Sequence, residues 1–140
     1  EAKISVLGVP DTPGIAYQIL GAVADANIEV DVIIQNLSKD GKTDFSFTVH
    51  RNDFQKTMDL LKAKVVPSLG AAEVVGDARI CKVSIVGIGM RSHVGVASRM
   101  FKCLSTEGIN IQMISTSEIK TSVVIDEKYM ELAVRALHRE

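Results

Sequence analysis

The chain has 140 residues, 46% hydrophobic and 24% charged, with a formal net charge of -1. That is the balance of an ordinary globular protein, and so little net charge offers no electrostatic footprint for a phosphate backbone, which argues against nucleic acid as a partner. No apolar run reaches the roughly 18 residues of a membrane span and no signal-peptide pattern opens the chain, so a cytoplasmic location is expected.

Residues 2–9 alternate, with Ile4 and Val6 on one face and Ser5 and Leu7 on the other, and predict a strand. A turn follows at Pro10, Asp11, Thr12, Pro13 and Gly14, where proline fixes φ and glycine is free to take positive φ. Ala16, Ile19, Leu20 and Val23 then form one helical stripe, ended by Asn27, a residue that tolerates the left-handed conformation. Residues 29–35 and 43–49 predict two antiparallel strands joined by a turn at Lys39, Asp40 and Gly41. Asn52 or Asp53 is positioned to cap a helix whose inner face is Phe54, Thr57, Met58 and Leu61 and which should end before Pro67. Residues 72–75 close the module as a last strand. The order is βαββαβ, a ferredoxin-like α+β module with two helices on one face of an antiparallel sheet.

The second half repeats the first. Pairing Gly14 with Gly95 sets an offset of 81 (95 minus 14), and the same offset pairs Ala16 with Ala97, Asn27 with Gly108, Ile28 with Ile109 and Ile33 with Ile114. Only four of the 23 positions from 14 to 36 are identical, so the repeat is one of pattern. It predicts a strand at 80–86, a glycine-rich turn at 87–95, a helix at 96–106, strands at 110–115 and 119–125, and a helix from Glu127 with Met130, Ala133, Val134 and Leu137 inward. The expected division is therefore a first domain at 1–77 and a second at 78–140. The second lacks its last strand, so a segment outside the chain is expected to pair with that sheet edge. A start at Glu1 and an end within a helical pattern suggest a piece of a longer protein. Modules of about seventy residues bury only about 60% of their unfolded surface, which favours association.

The residues offer little to a catalytic reading. No GxxxxGK[ST], HExxH or GxSxG is present, and His50, His93 and His138 are not spaced as ligands or as a relay. Gly87, Ile88 and Gly89 follow a strand, yet Arg91, Ser92 and His93 stand where a dinucleotide fingerprint needs close backbone approach. An acylphosphatase-like loop needs an arginine where this loop carries Asp11. Base stacking needs exposed aromatics, whereas Phe45 and Phe47 share the strand face that packs on the helices. Cys81 and Cys103 have no CxxC or His partner and read as buried small hydrophobes, so no metal and no cofactor is expected.

A small zwitterion suits the chain better. Backbone N–H groups at the helix start suit an α-carboxylate once Gly14 permits close approach. Asp11, Gln35 and Asn110 can face an ammonium or a hydroxyl. Each has a plainer alternative: Asp before a turn is commonly an Asx-turn residue, and Gln35 at a strand end is commonly just solvated.

Taken together, GVPDTPGIA, VDVIIQN, TDFSFTVHRND, KVSIVGIGMRSHVGVASRMF, INIQMISTSEIKTSVVI and AVRALH resemble the regulatory region of bacterial aspartate kinases, over nearly the whole chain. The resemblance implies two tandem ACT domains, which bind the end products threonine, lysine or both and so inhibit phosphorylation of aspartate by ATP. It implies no catalysis by this chain alone, since the kinase motifs lie upstream. It also implies a homodimer in which the first ACT domain of one copy meets the second of the other, with a kinase catalytic domain or α subunit as partner. Residues preceding the chain would complete the second sheet.

Carried over by position, a threonine site would use Asp11, Gly14, Ile15, Ala16 and Gln35, with Asn110 and Ile111 from the facing domain. A second effector site would use Met90, Val96 and Ala97 with Glu29, Val30 and Asp31, and Ser117 and Glu118 nearby. Val94 stands where many relatives have Pro, and Ala97 where lysine-sensitive relatives can carry Thr. Ser117 and Glu118 also suit a plain hairpin. The alternative to effector binding is a purely structural dimerisation module with vestigial pockets.

Overall fold

In the computed structural model of the protein, which describes residues 1–37, 40–70, 73–86, 93–117 and 119–139, the opening alternation becomes strand β1 (Ala2–Pro10), with Ile4 and Val6 fully buried. Helix α1 (Ile15–Asp25) follows, then β2 (Val30–Leu37) and β3 (Lys42–Val49). Helix α2 (Phe54–Leu60) continues through a π-helical turn (Leu61–Val65) into the short α3 (Val66–Leu69), and β4 (Glu73–Asp77) closes the module. The sheet is antiparallel in the order β2-β3-β1-β4. Ile4, Val6, Phe45 and Phe47 from the strands pack with Ile19, Val23 and Leu61 from the helices in one core. Each such side chain contributes about 1.5–3 kcal/mol by leaving water.

The second half is β5 (Ile80–Val86), α4 (His93–Thr106), β6 (Met113–Thr116), β7 (Lys120–Asp126) and α5 (Met130–Arg139). Its antiparallel sheet runs β5-β7-β6, so β5 is an edge strand among the described residues, on the side where β4 flanks β1 in the first sheet. Met100, Leu104, Val123, Ile125 and Ala133 form a separate core. By internal contacts the chain divides into two units, Glu1–Ala78 and Arg79–Glu140. The antiparallel sheets and their helices are those of two ferredoxin-like modules in tandem.

The helix ends follow the repeat closely. Asn27 and Gly108 both take positive φ, 63° and 71°. Asn27 N donates to Ala24 O and Gly108 N to Ser105 O, while Ile28 N donates to Val23 O and Ile109 N to Leu104 O. These are the left-handed caps the sequence signals.

Other details differ from expectation. Neither Asn52 nor Asp53 caps through its side chain. The helix is preceded by a 3-10 turn (Arg51–Asp53), which moves the extended capping position back to His50, whose ring accepts from Asn52 N. Pro67 does not end the helix, because the backbone opens to a π turn in which Val66 N donates to Leu61 O, and this relieves the clash a proline ring makes with an α-helical carbonyl. Helix α4 starts at His93, three residues early. In α5 the buried face is Ala133 and Ala136, flanked by Tyr129, Leu132 and Leu137, whereas Met130 and Val134 are about half exposed. The apolar stripe is read one residue off when Met and Val are weighted above Ala.

Candidate effector site

The first loop begins with a break in β1. Its register to β3 shifts between Val6 and Val9, Gly8 takes φ 67°, and Gly8 N donates to Asp44 Oδ1 at 2.8 Å. The bulge bends β1 just past its last pairing with β4 at Leu7, while Val9 and Pro10 stay paired with Thr43 and Lys42 of β3. Asp11 N then donates to Gly41 O at 3.0 Å and Thr12 N to Pro10 O at 3.0 Å, which ties the loop to the β2-β3 turn. Asp11 itself is exposed, and its carboxylate has no partner among the described residues. The usual Asx turn is closed to it, since the amide two residues on would be that of Pro13, which has no N–H.

Gly14 is the N-cap of α1 in the left-handed region, φ 90° and ψ -6°, and no side chain caps this helix. A Cβ at Gly14 would meet nothing within 4 Å, so the helix start faces open space. Ile15 is buried and anchors the first turn to the core, while Ala16 is exposed. Ile15 N donates back to Thr12 O at 3.3 Å, and the amides of Ala16 and Tyr17 that follow have no intrahelical acceptor, which makes this end suited to a carboxylate. Gln35 is exposed on the edge strand β2, opposite Phe45. With β3 between β2 and β1, it stands two strand spacings, roughly 10 Å, from the strand that leads into the Asp11 loop.

Asn110 and Ile111 lie in the other unit, in the connector between α4 and β6. They line an open cavity of about 420 Å³ with Phe101, Ser105, Gly108 and Ile109. The matching connector of the first unit, 81 residues earlier, also lines a cavity. Glu29, Val30 and Asp31 stand there with Val49, His50 and Asp53 around about 880 Å³. The two segments leave matching helix caps and differ in charge: Asn110 and Gln112 take the places of Glu29 and Asp31.

Of the second candidate set, Val96 and Ala97 are half-buried on α4. Ser117 N donates to Lys120 O at 2.7 Å, a hairpin bond. Met90 and Glu118 lie outside the described residues, as do Gly87, Ile88, Gly89, Arg91 and Ser92. Phe45 and Phe47 are core residues, as their strand face implied. The bonds by which Asp44 and the hairpin-turn residue Gly41 hold the first loop were not foreseen from the sequence. The available signal was Gly8 inside a strand pattern, which marks a bulge, and an Asp among strand formers opposite it.

A family match to the ACT domain covers residues 4–65 and 83–140. Over 138 residues the chain is 64% identical to the aspartokinase of Pseudomonas aeruginosa, covering 99% of this chain and 33% of that protein. It thus spans about a third of the length of the curated relatives it matches. A crystal structure of aspartokinase alpha and beta subunits matches with a TM-score of 0.92 at 67% identity, covering 99% of this chain and 90% of that one. The ligand-free regulatory subunit of aspartate kinase from Thermus thermophilus matches at 0.91 and 39% identity, with the same coverages. Two matched stretches on two repeated modules, and regulatory subunits superposing over nearly their whole length, make this chain a member of the ACT domain family, a tandem pair of the aspartokinase regulatory type.

Proposed function

We propose that the chain is the allosteric part of a cytoplasmic aspartate kinase that binds end-product amino acids and thereby inhibits phosphorylation of L-aspartate by ATP, in the pathway to lysine, threonine and methionine. Threonine is the first effector. The observation that carries this reading is the left-handed Gly14 cap, which leaves the start of α1 without a side-chain acceptor and open to a ligand. The amides after Gly14 hold the α-carboxylate and the Asp11 carboxylate opposes the ammonium. Gln35, with Asn110 and Ile111 from a facing domain, meets the remaining polar groups. The second site, with Val96 and Ala97 from one domain and Glu29, Val30 and Asp31 from another, takes lysine as its candidate, because two carboxylates on that connector suit a ligand with two ammonium groups. Both sites form between two copies of the chain. The kinase catalytic domain or α subunit is the partner on which inhibition acts, and this chain has no activity alone.

Titration calorimetry and thermal shift with threonine test the reading. A ligand at 100 times its Kd stabilises by about 2.7 kcal/mol, visible as a rise of several degrees in Tm. No heat and no shift at millimolar threonine or lysine would leave a structural dimerisation module as the better account.

A further inference from the structure

His50 ends β3 in an extended conformation, φ -62° and ψ 142°, and its Nδ1 accepts the Asn52 amide at 3.1 Å, capping the 3-10 turn that leads into α2. The second unit builds the same corner 76 residues on (126 minus 50). There Asp126, at φ -62° and ψ 134°, accepts the Lys128 amide through Oδ1 at 3.0 Å, ahead of the 3-10 turn (Glu127–Tyr129) and α5. The backbone is the same and only the acceptor differs. A carboxylate at such a cap accepts throughout the neutral range. An imidazole accepts at Nδ1 only while neutral, and imidazoles ordinarily change charge between pH 5 and 8.

The surroundings of His50 are acidic. It lines the 880 Å³ cavity with Glu1 ahead of β1, Glu29 of the connector, Asp31 of β2 and Asp53 of its own turn. Neither Lys nor Arg is among the lining residues; the cationic groups nearby are the α-ammonium carried by the lining residue Glu1 and Arg51, which follows His50 on the turn. Among the described residues no three of these groups are gathered closely enough to hold a metal ion. A charged ring thus loses its cap partner on a cavity wall that also carries carboxylates.

We infer that His50 is a proton-operated corner, which caps the α2 segment when neutral and releases the Asn52 amide when charged. Protonation also adds one unit of positive charge to the cavity wall. The cap itself is independent of effector binding, although the cavity His50 lines includes Glu29, Val30 and Asp31 of the proposed second effector site.

The test is an NMR titration of the 140-residue chain from pH 8 to pH 5, following the His50 ring and the amides of Asn52 and Lys128. The Asn52 amide should move with the midpoint of the His50 ring, and its exchange protection should fall about fivefold, the fold-change of a cap worth about 1 kcal/mol. The Lys128 amide should stay in place over the same range. His50→Asp, which copies the Asp126 corner, should fix the Asn52 amide throughout. An Asn52 amide that stays in place while the ring titrates overturns the inference, as does one that moves equally in His50→Asp.

Discussion

The Asp44 carboxylate accepts the Gly8 amide at 2.8 Å, across from the bulge in β1. This contact joins the middle of a strand hairpin to the root of the candidate effector loop. Removing it leaves a part-buried amide without its charged partner, at a cost of about 1.5–3 kcal/mol. Asp44→Ala should lower Tm by several degrees and weaken threonine binding, whereas Asp44→Asn, which keeps an acceptor, should recover most of both. Equal losses in the two variants would mean that the charge matters rather than the bond.

Asp11 is exposed and its own amide, not its carboxylate, holds the loop. Asp11→Ala should therefore leave Tm within a degree or so. Losing a charge-assisted bond to the ammonium of a bound amino acid costs about 1.5–3 kcal/mol, so threonine affinity should fall roughly tenfold to a hundredfold. Calorimetry decides it, and an unchanged Kd assigns the ammonium to other acceptors.

Gly14 and Gly95 pair in the sequence repeat but not in their work. Gly14 has φ 90° and caps α1, while Gly95 is the third residue of α4 with ordinary helical backbone. At both, an added Cβ meets nothing within 4 Å, so only the backbone decides. Gly14→Ala should destabilise by about 1–2 kcal/mol, the cost of a left-handed L-residue. Gly95→Ala should stabilise by about 0.5–1 kcal/mol through helix propensity. Denaturant melts of the two variants should move in opposite directions.

Thr121 is 1% exposed on β7, opposite Ile85 and Thr116, and its hydroxyl has no hydrogen-bond partner among the described residues. A buried hydroxyl left unpaired costs about 1–3 kcal/mol, and valine has the same shape without it. Thr121→Val should raise stability by about 1 kcal/mol, read as a higher denaturant midpoint at constant slope. A loss of stability would show that the hydroxyl has a partner in solution.

Period and punctuation alone carried the element order, the tandem repeat and the caps at Asn27 and Gly108, because these rest on local backbone preferences and on which side chains recur every 3.6 or every 2 residues. They also marked the Asp11–Gly14 turn, since proline and glycine restrict or release φ whatever surrounds them. A single offset of 81, which joins α1 to α4 and β2 to β6, could not follow the other strands, however. Ser5 Oγ and Ser46 Oγ are 2.8 Å apart, and Ser84 Oγ and Ser122 Oγ 2.6 Å, in matching ladders. These pairs correspond at offsets of 79 (84 minus 5) and 76 (122 minus 46), because the loops between the elements differ in length. Only strand register, a long-range property, brings them into view. The same holds for Asp44 with Gly8, 36 residues apart, and for the exposed Val134 beside the buried Ala133, where packing against the sheet outweighs hydrophobicity. Composition and spacing state what each residue can do; which amide a carboxylate meets, and which helix face is turned inward, is decided when distant segments compete for one core.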